Sequence, residues 1–371
     1  MKSHDDNYLV SKVYDYIFFV GPGFLSVLIV IAWHVFSIPF EKSPLVTWVI
    51  LVLFIDVAHV YATLYRVYFF PGEFKRRRLL YLVLPLVVYV TGVYLYWVSG
   101  LLFWRVLAYL AVFHFIRQQY GFIVLYHKRN REPYWQGVVA KIAVYTSTLY
   151  PIYYWHTHLP RRFNWFIDND FIEGLPEPDN WVFYLYLTIA AGYVLSSIVG
   201  YIQSKKLNLP KDLFMLATWL NWYLGIIYFN SDFAFTVTNV TTHGICYMAL
   251  VYATARKNQP PALTASYRFY RFFTARAVPF VALLFFLAYT EEYLWHNLVW
   301  LEKTELFGSL GNGIPGSFLI FIVPLLMLPQ GTHYFLDGFI WRFKKNPQLQ
   351  VAFSKNNPGN LEATSSYPQG L

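Results

Sequence analysis

Residues 79–98 read LLYLVLPLVVYVTGVYLYWV, an uncharged run set directly behind Lys75, Arg76, Arg77 and Arg78. At about 1.5 Å of rise per residue, such a helix covers roughly 30 Å, the thickness of a bilayer's hydrocarbon core. The basic cluster at its start marks that end as cytoplasmic. Working outward, comparable apolar runs begin near Tyr16, Leu45, Leu79, Leu101, Gly137, Trp181, Asp212, Phe233, Arg276 and Gly316. The pattern predicts an all-α, polytopic integral membrane bundle of about ten transmembrane helices.

Composition and loop charge agree. Of 371 residues, 57% are hydrophobic, 21% aromatic and only 13% charged, the last about half the share of a soluble domain. If Met1 is cytoplasmic, the inner loops hold Lys75 to Arg78, then Lys128, Arg129 and Arg131, then Lys205, Lys206 and Lys211, then Arg256, Lys257, Arg268 and Arg271, with Arg342, Lys344 and Lys345 in the tail. The outer loops hold Asp168, Asp170, Glu173, Glu177 and Asp179, and later Glu291, Glu292, Glu302 and Glu305. That alternation follows the positive-inside rule and places both termini in the cytoplasm, in the plasma (inner) membrane if the source is bacterial. The first span lacks a small-residue cleavage site and reads as a retained helix. The net charge of +9 is met by anionic lipid at these loops, so membrane lipids are expected partners and nucleic acid is not. The lone cysteine, Cys246, provides neither a disulfide framework nor a cysteine zinc cluster.

No polar linker interrupts the chain, which reads as one transmembrane domain over 1–345 with a polar, disordered tail over 346–371. The loop from His156 to Asn180, broken by Gly174, Pro176 and Pro178, is expected to cap the outer face. Ser266 to Arg276, with five aromatics among three arginines, reads as a helix lying in the interface.

Ionisable residues inside a membrane are costly, and four histidines stand in apolar runs with polar company one turn away. On the second helix Asp56, His59, Thr63 and Arg66 follow at spacings of three, four and three, which stacks them on one face. On the fourth, His114 precedes Arg117 and Gln118. On the eighth, Asn239 stands four before His243, beside Thr242. On the tenth, Gln330, His333 and Asp337 form a similar stripe ahead of Trp341 and Arg342. All four helices run the same way through the membrane, so one layer can hold all four rings. Four neutral imidazoles suit a borderline divalent metal, and a carboxylate one turn from an imidazole suits orientation of its ring. If Asp56 and Asp337 join the metal directly, a dinuclear site is possible. The plain alternative is packing, since membrane histidines also hydrogen-bond between helices. His34 is expected near an outer helix end, His156 and His158 in a loop and His127 among inner-loop charges, with Glu292 and His296 in solvent at the outer boundary.

The stretch from Pro329 to Arg342, PQGTHYFLDGFIWR, resembles the last motif of the Brp/Blh family of integral-membrane carotene dioxygenases, whose isolated histidine motifs are proposed to hold iron. His114-Phe115 with Gln118 is similar to that family's His-Phe-Gly motif, while Asp56 precedes His59 where the family has the reverse order. Thr242-His243 stands where the family tends to have two histidines. The resemblance covers about a tenth of the chain and implies a membrane oxygenase. The corresponding expectation is a non-haem iron oxidoreductase with His59, His114, His243 and His333 as ligands. Asp56 and Asp337 would orient imidazoles, Arg117, Gln118 and Asn239 would contact substrate, and the substrate would be a hydrophobic lipid or isoprenoid. The alternatives are a proton- or solute-translocating transporter using the same layer and a haem protein with bis-histidine ligation.

Overall fold

The computed structural model describes residues 7–38, 44–177, 180–259, 264–309 and 313–342, together with Asn346, Leu349, Ala352 and Phe353. Ten long helical rods carry the fold among these residues. They are α1 (Lys12–Val35), α2 (Leu45–Arg66), α3 (Arg78–Val98), α4 (Gly100–Asn130), α5 (Tyr134–Thr157) and α6 (Asn180–Ser204). They continue as α7 (Leu209–Trp222, extended by Tyr223–Tyr228), α8 (Asp232–Val240, Thr241–Ile245 and Cys246–Lys257), α9 (Ala277–Trp300) and α10 (Gly316–Ile340). Seven of them, all but α5, α7 and α8, are long and apolar enough to cross a membrane. Those three fall short in apolarity for a physical reason: their polar residues are buried against protein, where a neighbouring helix and not lipid must satisfy them. In α8 every side chain from Phe233 to Gly244 is buried, Thr236, Thr238, Asn239, Thr241, Thr242 and His243 included.

Burial sorts centre from rim. Half of the apolar window is buried in α4 and α10, against 11% in α3 and 17% in α6. The rim helices expose Leu79, Leu86, Val90 and Trp97, and Tyr184, Leu195 and Ile202, as side chains facing lipid tails do. α4 and α10 are therefore central, and the buried stretch of α8 and the buried His59, Thr63 and Arg66 of α2 pack with them, so that the four helices carrying the histidine stripes meet.

The loops gather at two ends. At the basic end, Asn130 Nδ2 reaches the carbonyl of Asn7, Asn208 Nδ2 that of Tyr126, and Lys257 Nζ those of Leu9 and Ala352. There the carboxyl of Glu73 meets Arg76 at 2.6 Å, Arg66 at 3.9 Å and Tyr81 Oη at 2.5 Å. Lys211 likewise meets Glu132 at 2.6 Å. Burial alone would raise both carboxyls. The bonds from Arg76 and Tyr81 with the charge of Arg66, and the partners His127 and Lys211, instead hold them below the ordinary glutamate range.

At the acidic end the loop after α5 folds over the bundle. Arg161 donates to the carbonyls of Ile226 and Phe229, and Arg105 to that of Asn169. Asp170 accepts from the backbone N–H groups of Trp165, Phe166 and Ile167, and these three apolar residues pack, partly buried, against the core. The segment Ala265–Thr274 is a separate helix started by Thr264, with Phe269 and Phe272 exposed and Tyr270 buried.

Two expectations change. His296 is not solvated: it is buried, and its ring bridges the carbonyls of Glu302 and Gly308, tying down the loop after α9. His156 belongs to the last turn of α5, bonded to Tyr109 Oη and the Ile152 carbonyl, because the helix runs further than its apolar run. Pro178, Asp179, Lys344, Lys345 and most of the polar tail 346–371 lie outside the described residues. The four tail residues that are described are buried against the basic end.

Candidate metal centre

The four histidines of the central helices converge. All are buried, and one ring nitrogen from each of His59, His114, His243 and His333 lies within 4.8 Å of the other three. His59 Nε2 stands 3.0 Å from His243 Nε2, which is 3.2 Å from His114 Nε2, which is 3.0 Å from His333 Nε2. Four bonds of about 2.0–2.1 Å would set neighbouring nitrogens about 2.9 Å apart in a square and about 3.4 Å apart in a tetrahedron. The three observed contacts, of 3.0, 3.2 and 3.0 Å, lie between those two values.

Proton bookkeeping strengthens the fit. Tyr247 Oη donates its only proton to Asp337 Oδ1 at 2.7 Å, so the 2.9 Å contact between Tyr247 Oη and Thr63 Oγ1 must be donated by Thr63. Thr63 Oγ1 then accepts from His333 Nδ1 at 2.7 Å, which leaves the His333 Nε2 lone pair facing the other rings. The second carboxyl oxygen of Asp337 lies 3.6 Å from His114 Nδ1, and Asp56 lies 3.7 Å from His59 Nδ1. These distances exceed a direct hydrogen bond. Between neutral rings each 3.0–3.2 Å contact is an N–H···N hydrogen bond, and a cation among the four nitrogens would take the place of those bonds. Four buried ring nitrogens within 4.8 Å of one another are a donor set that fits a divalent metal.

Local structure explains the convergence. The backbone of α2 widens to π-helical turns over Val49–Val57 and that of α8 over Thr241–Ile245, the kind of local irregularity found at functional sites. Gly244 lets the two helices touch, since a Cβ there would stand 2.7 Å from the Ile55 carbonyl oxygen. The ring of His243 stacks on Phe115 at 3.6 Å and 8°, and Gln118 Nε2 donates to the His243 carbonyl at 2.9 Å. Trp341 Nε1 also donates to Asp337, and Arg66 lies 5.8 Å from the Trp341 ring.

Among the residues singled out from sequence, the four histidines, Asp56 and Asp337 meet in one place. Gln118 supports the backbone at His243, and Asn239 faces a cavity on the acidic side. Arg117 does not join them. It is exposed, donates to Tyr145 Oη and lies over Tyr120, because a step of three from His114 turns it off the inward face while the step of four to Gln118 does not. Sequence reasoning passed over Tyr247, which stands four residues after His243, a spacing that the rule used for Asp337 would have flagged. Phe115 was named only as the neighbour of His114 in the motif resemblance, with no role, and its stacking on His243 is set by packing between α4 and α8.

Among the described residues, fold and site together define an all-helical protein with seven helices long and apolar enough to cross a membrane and a buried four-histidine cluster able to hold a metal ion. Searches against family models, curated proteins and solved structures give no match.

Proposed function

We propose that the chain is a membrane-embedded, metal-dependent oxidoreductase of the oxygenase type, with iron held by His59, His114, His243 and His333. The observation that carries this reading is the convergence of four Nε2 atoms while His333 Nδ1 is committed to Thr63. Iron in four imidazoles would keep positions open and supply oxidising chemistry toward a carbon substrate. Asp337, braced by Tyr247 and Trp341, holds His114 and His333 in orientation. Asp56 does the same for His59 from the cavity side. The motif-level resemblance to membrane carotene dioxygenases points the same way and leaves the substrate class to be found. All ten rods cross the membrane in this reading, with both termini at the cytoplasmic basic end.

The transport reading draws less support, because buried Tyr247 and Arg66 and partly buried Trp341 fill the basic side of the layer. A haem fits poorly, since its flat ring would have to pass between imidazoles 3.0–3.2 Å apart. Elemental analysis with an optical spectrum of the detergent-purified full chain tests the proposal. Near-stoichiometric iron is expected. Protein that stays metal-free after incubation with ferrous, zinc or manganese ions would return the four histidines to a packing role.

A further inference from the structure

A cavity of 580 Å³ opens among the loops of the acidic end and runs down to the histidine layer. Its size falls in the range of sites that enclose a small organic molecule. The floor touches the imidazoles through three side chains: Phe115 stacks on His243, Tyr334 lies 4.9 Å from the His114 ring centroid, and Asp56 faces His59. Above the floor the walls are aromatic, with Trp48, Trp104, Trp165, Trp295 and Trp300 around the space. A passage for a bare ion has no use for five indoles, whereas an apolar molecular body does.

The polar groups in this chamber have one character. Asp56, Glu291, Glu292, Asn239 and Gln330 line its lower part, and Lys303 stands at the mouth beside Glu302. Asn239 is the sharpest case. It is 3% exposed, its Nδ2 is spent on Phe235 O and Thr238 Oγ1, and its Oδ1 is buried with no partner while the residue lines the chamber. Of the buried polar atoms without a partner near the layer, this acceptor belongs to a residue that lines the chamber, where a donor from outside the chain can reach it.

We infer that the chamber binds an amphiphile with an apolar body and an uncharged or cationic, hydrogen-bond-donating head, a hydroxyl or a protonated amine, and that it excludes carboxylates. The head lies at the floor among Asp56, Asn239 and Gln330, and the body lies between the indoles. The inference rests on the proposed function for the word substrate, but its binding test does not depend on turnover. A carboxylate head would meet the three carboxyl groups of Asp56, Glu291 and Glu292 against the amide of Gln330, a repulsive element that sets specificity.

The test uses the purified full chain in nanodiscs and three twelve-carbon probes, bromododecanol, bromododecylamine and bromododecanoic acid, whose bromine quenches tryptophan. Lipid-facing Trp97 and Trp181 give a linear partition background common to all three. The chamber indoles give a saturable component. Alcohol or amine should bind at least about tenfold tighter than the acid, and whichever of the two is tighter names the head. Asn239→Leu should weaken that probe by about tenfold and leave the acid unchanged. The wild-type ranking needs no variant and so survives a misfolded one. Equal or tighter binding of the acid, or no saturable quenching by any probe, overturns the inference. The expected ranking in protein that takes up no metal would uphold the chamber and sink the oxidoreductase reading.

Discussion

Asp56 and Asp337 each stand one helical turn from a histidine, yet the two halves of the site they belong to are built differently. Asp337 is 11% exposed and receives Tyr247 and Trp341 while facing two imidazoles. Asp56 is 25% exposed and borders the chamber. The basic-side half is packed shut, and the acidic-side half is left open. Equal spacing in sequence thus serves two purposes: rigid support below the layer and access above it. The difference comes from what the neighbouring helices bring, bulky Tyr247 and Trp341 on one side and a ring of indoles around empty space on the other.

The largest expected effect is on the layer common to both halves. His333→Ala should remove most of the bound metal, to below about a tenth of wild-type occupancy by mass spectrometry, because the ligand and its Thr63 link are lost together. Full occupancy in that variant would mean that the layer is not a metal site, and the comparison would lose its centre.

Next comes the contrast between the two carboxyl groups. Asp337→Asn should lower metal affinity by about 10- to 100-fold, as expected for a group that fixes ligand orientation. Asp56→Asn, facing the open side, should lower it by less than about threefold, since water can replace a loosely held carboxyl there. Competition with a coloured chelator measures both. If Asp56→Asn proves the more damaging, the open half supplies a ligand and the assignment of support and access is reversed.

Acid should separate the two ends of the bundle. Glu73 and Glu132, both at the basic end, are held below their ordinary range in the folded protein. A depressed carboxyl contributes stability that is fully present above its unfolded value, about 4.3, and is lost as pH falls through the lower folded value. Thermal unfolding in detergent should therefore be flat from neutral pH to about 5 and fall below about 4. Losing such a pair costs about 3 kcal/mol. Lys211→Met should remove part of that acid dependence. An acid response unchanged in that variant would show that the Glu132 pair does not hold the basic end.

How much of this was legible beforehand follows from what sequence encodes. Apolar run length outlined the seven helices that are long and apolar enough to cross a membrane, and the one-turn spacings of Asp56 to His59 and His333 to Asp337 placed the histidine layer correctly, because helical periodicity fixes which side chains share a face. The face itself was misjudged for Arg117, since three and four residues from His114 differ by about 100° and only packing decides between them. His296 was misread as solvated because its partners, Glu302 O and Gly308 O, are backbone atoms of a loop, which leave no mark in side-chain pattern. The chamber was invisible for the same reason. Empty space is a property of how α2, α4, α8, α9 and α10 stand together, and no single helix records it.

The last contrast is at Gly244, where α8 touches α2 beside His243. A methyl group there would meet the Ile55 carbonyl oxygen at 2.7 Å and Ile55 Cγ2 at 2.6 Å. The side-chain contact can yield by rotation, but the carbonyl belongs to the backbone and can yield only if the helices part. Overpacking of this kind costs about 1–3 kcal/mol. Gly244→Ala should lower thermal stability by that amount and, by moving His243 away from His59, weaken metal binding more than it weakens probe binding in the chamber, whose walls do not include Gly244. If probe and metal affinities fell together, the two halves would move as one body. The contrast between a rigid support and an open access side would then describe the composition of the site and not its mechanics.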